Sequence, residues 1–165
     1  MSETTDLPAW KSELDAIVGS RAYGQVNQLL PRLKGLDERY PNVAEITFQI
    51  AWTCETLGRH TESLPAYEKA IALGLQPNEH SGALIGLGNT LRALGQFGRA
   101  AHLFRTGKTQ FPANREFDVF LALALHEQGH HSEAMKLLLD TLCATTEDPG
   151  LIAYQRTIRH AASKL

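Results

Sequence analysis

His126-Glu127-Gln128-Gly129-His130 reads literally as H-E-x-x-H, the string in this sequence that most resembles a reaction centre. In zinc hydrolases the motif works on one continuous helix, where both histidines share a face and bind the metal while the glutamate acts as base. A zinc-dependent hydrolase built on His126, Glu127 and His130 is therefore a remote alternative. Gly129 argues against it, because glycine ends helices in the left-handed conformation without a Cβ penalty. A helix that stops before His130 sends the two imidazoles apart across a turn. No helical pattern supplies a third ligand, although Glu147 lies downstream. A polar surface turn explains the string without metal, and adventitious capture of a metal by His126, His130 and His131 is a lesser use of the same residues.

The remaining reactive side chains form no constellation. His60, His80, His102 and His160 are scattered. Neither Cys54 nor Cys143 has the neighbouring His/Asp pattern of a thiol nucleophile. Cys54 falls on an apolar stripe with Ile50 and Leu57, which makes it a packed thiol. Two cysteines so far apart point to a reducing compartment rather than a disulfide framework. Gly86-Leu87-Gly88-Asn89 is followed by no Gly-Lys-Ser/Thr, so no phosphate loop is formed. The expectation is a protein without catalytic activity and without a cofactor.

Composition narrows the class further. The 165 residues suffice for one domain, and 43% hydrophobic against 21% charged residues rule out wholesale disorder. A net charge of −2 with no Lys/Arg cluster argues against a nucleic-acid partner, which would require a basic surface. The most apolar run, Val119 to Leu125, is far shorter than the roughly 18 to 20 residues of a membrane span. Met1 to Asp6 is polar and acidic rather than basic and then apolar, unlike a secretory signal. A cytoplasmic location and no membrane partner are expected.

The elements that must position any site come from an internal repeat. Pro41, Pro77, Pro112 and Pro149 recur at intervals of 36, 35 and 37 residues. Leu57-Gly58, Leu94-Gly95 and Gln128-Gly129 keep the same beat, at 37 and 34. Each unit then holds one helix before its glycine and one between that glycine and the next proline. From Ser81 to Leu94 the residues Leu84, Leu87, Leu91 and Leu94 share a helix face. Gly86 and Gly88 among them each cost about 1 kcal/mol relative to alanine, which close approach of a partner helix would offset. Two further helices, Leu7 to Val18 and Tyr23 to Arg39, precede the repeats, and Pro31 should kink the second. Leu151 to Leu165 reads as a closing amphipathic helix, with Ile152, Ile158 and Ala162 inward and Gln155, Arg156, Arg159 and Lys164 toward solvent.

Leu84-x2-Leu87-Gly88-x2-Leu91, Phe97-x2-Ala100-x3-Phe104 and Pro112 together resemble the tetratricopeptide helix–turn–helix signature, whose period is about 34 residues. The unit before matches through Ile50-Ala51, Cys54, Gly58, Tyr67, Ala70 and Pro77, with Ser63 in place of the usual alanine and two extra residues in Gly74-Leu75-Gln76-Pro77. The unit after matches through Leu121-Ala122, Leu125, Gly129, Ala134 and Leu138, its proline arriving late at Pro149. Ala51-Trp52, Tyr67-Glu68-Lys69-Ala70-Ile71, Leu87-Gly88-Asn89-Thr90-Leu91-Arg92 and Phe120 to Leu125 are similar to a small bacterial tetratricopeptide family without an assigned activity. The resemblance implies an all-α, right-handed α-solenoid in a single domain: a helical cap or degenerate repeat over 7–40, three units over 43–148 and a capping helix over 149–165.

It also implies a function, the binding of a partner polypeptide in a concave groove lined by the first helix of each unit. Carried over by position, the groove comprises Glu45, Phe48, Trp52, Glu55 and Thr56, then Gly82, Ile85, Asn89, Arg92 and Ala93, then Glu116, Val119, Leu123, His126 and Glu127. Phe48 and Trp52 lie one turn apart and suit an aromatic patch, unless the N-terminal helices fill the groove. Glu55 and Arg92 occupy equivalent places on adjacent helices, where a mutual salt bridge competes with ligand recognition. Members that grip chaperone C-termini use Lys and Asn, then Asn, then Lys and Arg; the matching positions are Phe48 and Trp52, Gly86, then Glu116 and Phe120, and none agrees. Glu45, Glu55, Glu116 and Glu127 against Arg92 alone predict a basic or neutral, partly apolar guest. Self-assembly into a structural homo-oligomer is the alternative.

Overall fold

The computed structural model describes residues 7–23 and 26–165. Met1 to Asp6, read above for a signal, lie outside them, as do residues 24 and 25 near the start of the helix expected from Tyr23. All regular structure among the described residues is helical: α1 (Ala9–Gly19), a 3-10 turn (Ser20–Tyr23), α2 (Val26–Arg39), α3 (Ala44–Thr56), α4 (His60–Leu73), α5 (Pro77–Ala93), α6 (Phe97–Gln110), α7 (Glu116–Glu127), α8 (His131–Thr145) and α9 (Pro149–Ala162). The fold class is the expected all-α solenoid of helical repeats.

Three of the turns have one cause. Gly58, Gly95 and Gly129 sit at φ 70°, 73° and 86°, the left-handed region. Each is followed by an N–H that reaches five residues back: Arg59 to the Cys54 carbonyl at 2.8 Å, Gln96 to Leu91 at 2.8 Å and His130 to Leu125 at 2.9 Å. Those bonds close a helix end and start the next helix within a few residues, the Schellman arrangement. The prolines act differently from the expectation. Pro77 and Pro149 do not trail their units; they are the first residues of α5 and α9, where a missing N–H costs nothing. So α5 starts four residues earlier than the apolar stripe from Ser81 suggested. Asp148 caps α9 by accepting the Leu151 N–H at 2.9 Å.

The chain forms two compact units, one up to Gly86 and one from Leu87. In the first, α1, α2 and α3 enclose a core of Leu14, Ile17, Leu29, Leu33, Leu36 and Ile46, with Trp10, Val18, Tyr40, Val43 and Ile50 around it. Leu29, Leu33 and Leu36 repeat at the spacing of one helix face. Helix α2 runs on through Pro31, and α4 likewise through Pro65. Tyr67 of α4 is buried, and a Cβ on Gly86 would lie 2.2 Å from its hydroxyl oxygen.

The second unit repeats that device. A Cβ on Gly88 would stand 2.3 Å from the ring of buried Phe104, and one on Gly107 2.1 Å from the ring of buried Phe117. The helical glycines thus let aromatic rings rest on the neighbouring backbone, and their propensity cost is offset by that packing. Asp118, buried on α7, is held by Lys108 of α6 and by Arg115 at 3.4 Å. Helix α9 differs from its expected facing. Leu151, Gln155, Ile158 and Ala162 turn inward, while Ile152 is 48% exposed. Gln155 fits inside because its amide donates to the Cys143 carbonyl at 2.9 Å, which satisfies the buried polar group. Cys54 and Cys143 are both buried and free.

Candidate functional site

Helix α7 ends at Glu127, and Gly129 at φ 86° breaks the chain before His130, which becomes the residue preceding α8. The continuous helix that H-E-x-x-H chemistry requires is therefore not formed. The turn instead brings His126 to His131, with their Nδ1 atoms 2.9 Å apart and ring centroids 4.5 Å apart. Glu127 points elsewhere, into a fork with Arg92. Among the described residues no three His, Cys, Asp or Glu side chains gather as a metal site.

In the second unit, the end of α5 and the exposed face of α7 carry six of the expected residues, Asn89, Arg92, Val119, Leu123, His126 and Glu127. Arg92 donates through Nε to Glu127 Oε2 at 2.8 Å and through Nη2 to Glu127 Oε1 at 2.7 Å. Its Nη1 donates to Asn89 Oδ1 at 3.1 Å. A bidentate fork of this kind fixes both side chains. Beside it, Val119, Leu123 and His126 follow one another along α7 at a helical spacing and are exposed, the two aliphatic residues each by 37%. The result is an apolar strip next to an internally neutral polar one.

In the first unit the same side of α3 holds Phe48, Trp52 and Glu55. Trp52 is 43% exposed and stacks on Phe48 at a centroid distance of 6.2 Å. Phe48 itself is buried, and so is Ile85 of α5, so these two support the surface rather than form it. Glu55 accepts a hydrogen bond from the Tyr67 hydroxyl. Burial raises the Glu55 carboxyl above the ordinary carboxylate range, with the Tyr67 bond opposing. Burial likewise pushes the Tyr67 hydroxyl far up, and the Glu55 charge adds to that. Glu55 and Arg92, weighed above as either a mutual pair or ligand contacts, each have a partner within their own unit.

Sequence reading missed Arg21. Its guanidinium carbon lies 4.0 Å from the centre of the Trp52 ring, and its Nη2 donates to Gln49 Oε1 and Thr53 Oγ1 at 3.0 Å each. The N-terminal segment therefore reaches Trp52 through one side chain and leaves the indole partly open. Arg21 belongs to the 3-10 turn, outside every repeat and every periodic stripe, so no sequence signal pointed to it.

The sequence profile of the tetratrico peptide repeat family matches residues 44–165. Among solved structures, MamA from Desulfovibrio magneticus RS-1 is similar, at 15% identity over 95% of this chain and 91% of that one, with a TM-score of 0.72. A thermophilic repeat protein from Thermus thermophilus is similar at 16% identity over 93% of this chain and 82% of that one, with a TM-score of 0.69. At such identities the likeness is one of fold. No curated protein sequence matches the chain.

Proposed function

We propose, from the premise that this chain belongs to the tetratrico peptide repeat family, that it binds a partner polypeptide through the first helices of its repeats. The observation that carries this reading is where large apolar side chains stay uncovered. Trp52 of α3 and Val119 and Leu123 of α7 lie on first helices and are more than a third exposed, while Phe48, Leu121 and Leu125 of the same helices are buried. Rows of apolar anchors beside fixed polar groups are the usual chemistry of a peptide-binding face. Trp52 and Arg92 are of the residue types that dominate such interfaces.

The guest we propose is a neutral or basic, partly apolar segment. Glu127 is neutralised by Arg92 and Glu55 is taken by the Tyr67 hydroxyl, so the charge argument rests on Glu116, whose exposed carboxylate stands at the start of the α7 strip. No helix among the described residues is long and apolar enough to cross a membrane. An array of capped 12-residue peptides, read by wild type beside Trp52→Ala and Leu123→Asp, tests the reading. Binding should fall about tenfold or more in at least one variant. Binding equal in all three proteins would remove both faces from consideration.

Self-association is a second reading, favoured by α9, where Ile152 and Tyr154 are 48% and 66% exposed. Light scattering of the full chain, of an Ile152→Asp/Tyr154→Asp variant and of a chain cut after Asp148 separates the two. A mass that stays monomeric over a wide concentration range would exclude self-association.

A further inference from the structure

We propose that His126 and His131 chelate a divalent transition metal, copper(II) by preference, as a two-imidazole clip across the turn between α7 and α8. Their Nδ1 atoms face each other at 2.9 Å, with the rings inclined at 54°. Nitrogen–metal bonds of about 2.05 Å to both atoms would then subtend about 90° at the metal. That is the angle between neighbouring ligands in a tetragonal or octahedral shell, which copper(II) and nickel(II) favour. A tetrahedral zinc ion would need the nitrogens about 3.3 Å apart. Copper(II) stands highest in the divalent affinity series, so it is the ion expected to bind most tightly.

The backbone fixes the pair. Gly129 N–H bonds the His126 carbonyl at 3.0 Å and His130 N–H bonds the Leu125 carbonyl at 2.9 Å, so the residue immediately before α8 is tied to the last turn of α7. Both rings are exposed, leaving the other coordination positions to water. The nearby carboxylates are engaged, Glu127 by Arg92 at 2.7 Å and Glu133 by Arg105 at 3.6 Å, which leaves the two imidazoles as the ligands. Without metal, one Nδ1–H donates to the other ring's Nδ1 lone pair. Binding requires the donor ring to carry its proton on Nε2 instead, so a neutral pair releases no proton and a singly protonated pair releases one. His130, although inside the H-E-x-x-H string, is no part of the clip.

Titrating the full chain with copper(II) sulfate, followed by visible absorption, electron paramagnetic resonance and the thermal unfolding midpoint, tests the site. The expected result is one copper per chain with two-nitrogen coordination and a raised midpoint. Affinity should drop at least tenfold in His126→Ala and in His131→Ala, and stay within twofold in His130→Ala. Because His130 makes no side-chain capping bond, that variant should fold as the wild type does, and circular dichroism checks all three. Copper binding that is absent, that survives loss of His131, or that falls equally in His130→Ala would overturn the proposal. So would zinc binding as tightly as copper.

Discussion

Gly88 of α5 lies directly beneath the ring of Phe104 in α6, so closely that a methyl group on Gly88 would sit 2.3 Å from two ring carbons. Phe104 is fully buried and its ring has nowhere to go. Gly88→Ala should therefore cost about 1–3 kcal/mol, the range for overpacking a filled core, even though alanine favours helix by about 1 kcal/mol. Gly35, inside α2, has nothing within 4 Å of its would-be Cβ. Gly35→Ala should gain about 0.5–1 kcal/mol. Urea denaturation of both variants checks the contrast, and equal effects would break the packing argument.

The fork between Arg92 and Glu127 joins α5 to α7 with side chains 18% and 28% exposed. Two parallel charge-assisted bonds at that burial should couple by about 1 kcal/mol, more than a solvated surface pair. A double-mutant cycle with Arg92→Ala and Glu127→Ala measures the coupling. A coupling near zero would mean that the pair is ornamental and that Arg92 is free for a ligand.

A chelator should leave the fold intact. The turn from α7 to α8 is closed by backbone bonds whether or not a metal is bound, so EDTA should return a copper-loaded sample to the unfolding midpoint of the metal-free chain and no lower. Hydrolysis of peptide or ester substrates with added zinc should stay at the buffer rate, because His126 and His130 flank a break between helices. Zinc-dependent turnover lost in Glu127→Gln would contradict this.

What the sequence made legible was local. Gly58, Gly95 and Gly129 marked three helix ends because a left-handed residue leaves a compositional trace at a fixed period. Leu84, Leu87 and Leu91 marked a buried face for the same reason of period. Choices between two compatible patterns were not legible. On α9 both Ile152 and Gln155 suit an inward place, and only the Cys143 carbonyl waiting on α8 decides for Gln155. Nor were pairings between distant residues: Arg92 with Glu127, 35 positions apart, and Arg21 with Trp52 come from packing that no window of sequence contains. Equivalent positions on successive first helices suggested Glu55 for Arg92, but Arg92 pairs with Glu127 of α7 and Glu55 is bonded by Tyr67.

That claim has a consequence for pH. Glu55 is mostly withdrawn from water, and burial raises its carboxyl above the ordinary 4.5, while the Tyr67 hydroxyl only partly offsets the shift. A carboxyl whose folded value exceeds its unfolded one favours the folded state when protonated. Its contribution is full below the unfolded value near 4.5 and is lost as pH rises through the raised folded value. Glu55→Gln keeps an oxygen to accept the Tyr67 hydrogen bond and cannot ionise. Compared with wild type, it should therefore gain stability as pH rises from 4 toward 7, and the difference should flatten once the folded carboxyl is fully ionised. Urea midpoints of both proteins at closely spaced pH values give the test. A stability difference independent of pH would show that the Glu55 carboxylate is as well solvated in the folded chain as in the unfolded one, and a difference of opposite sign would show that the Tyr67 hydrogen bond outweighs burial.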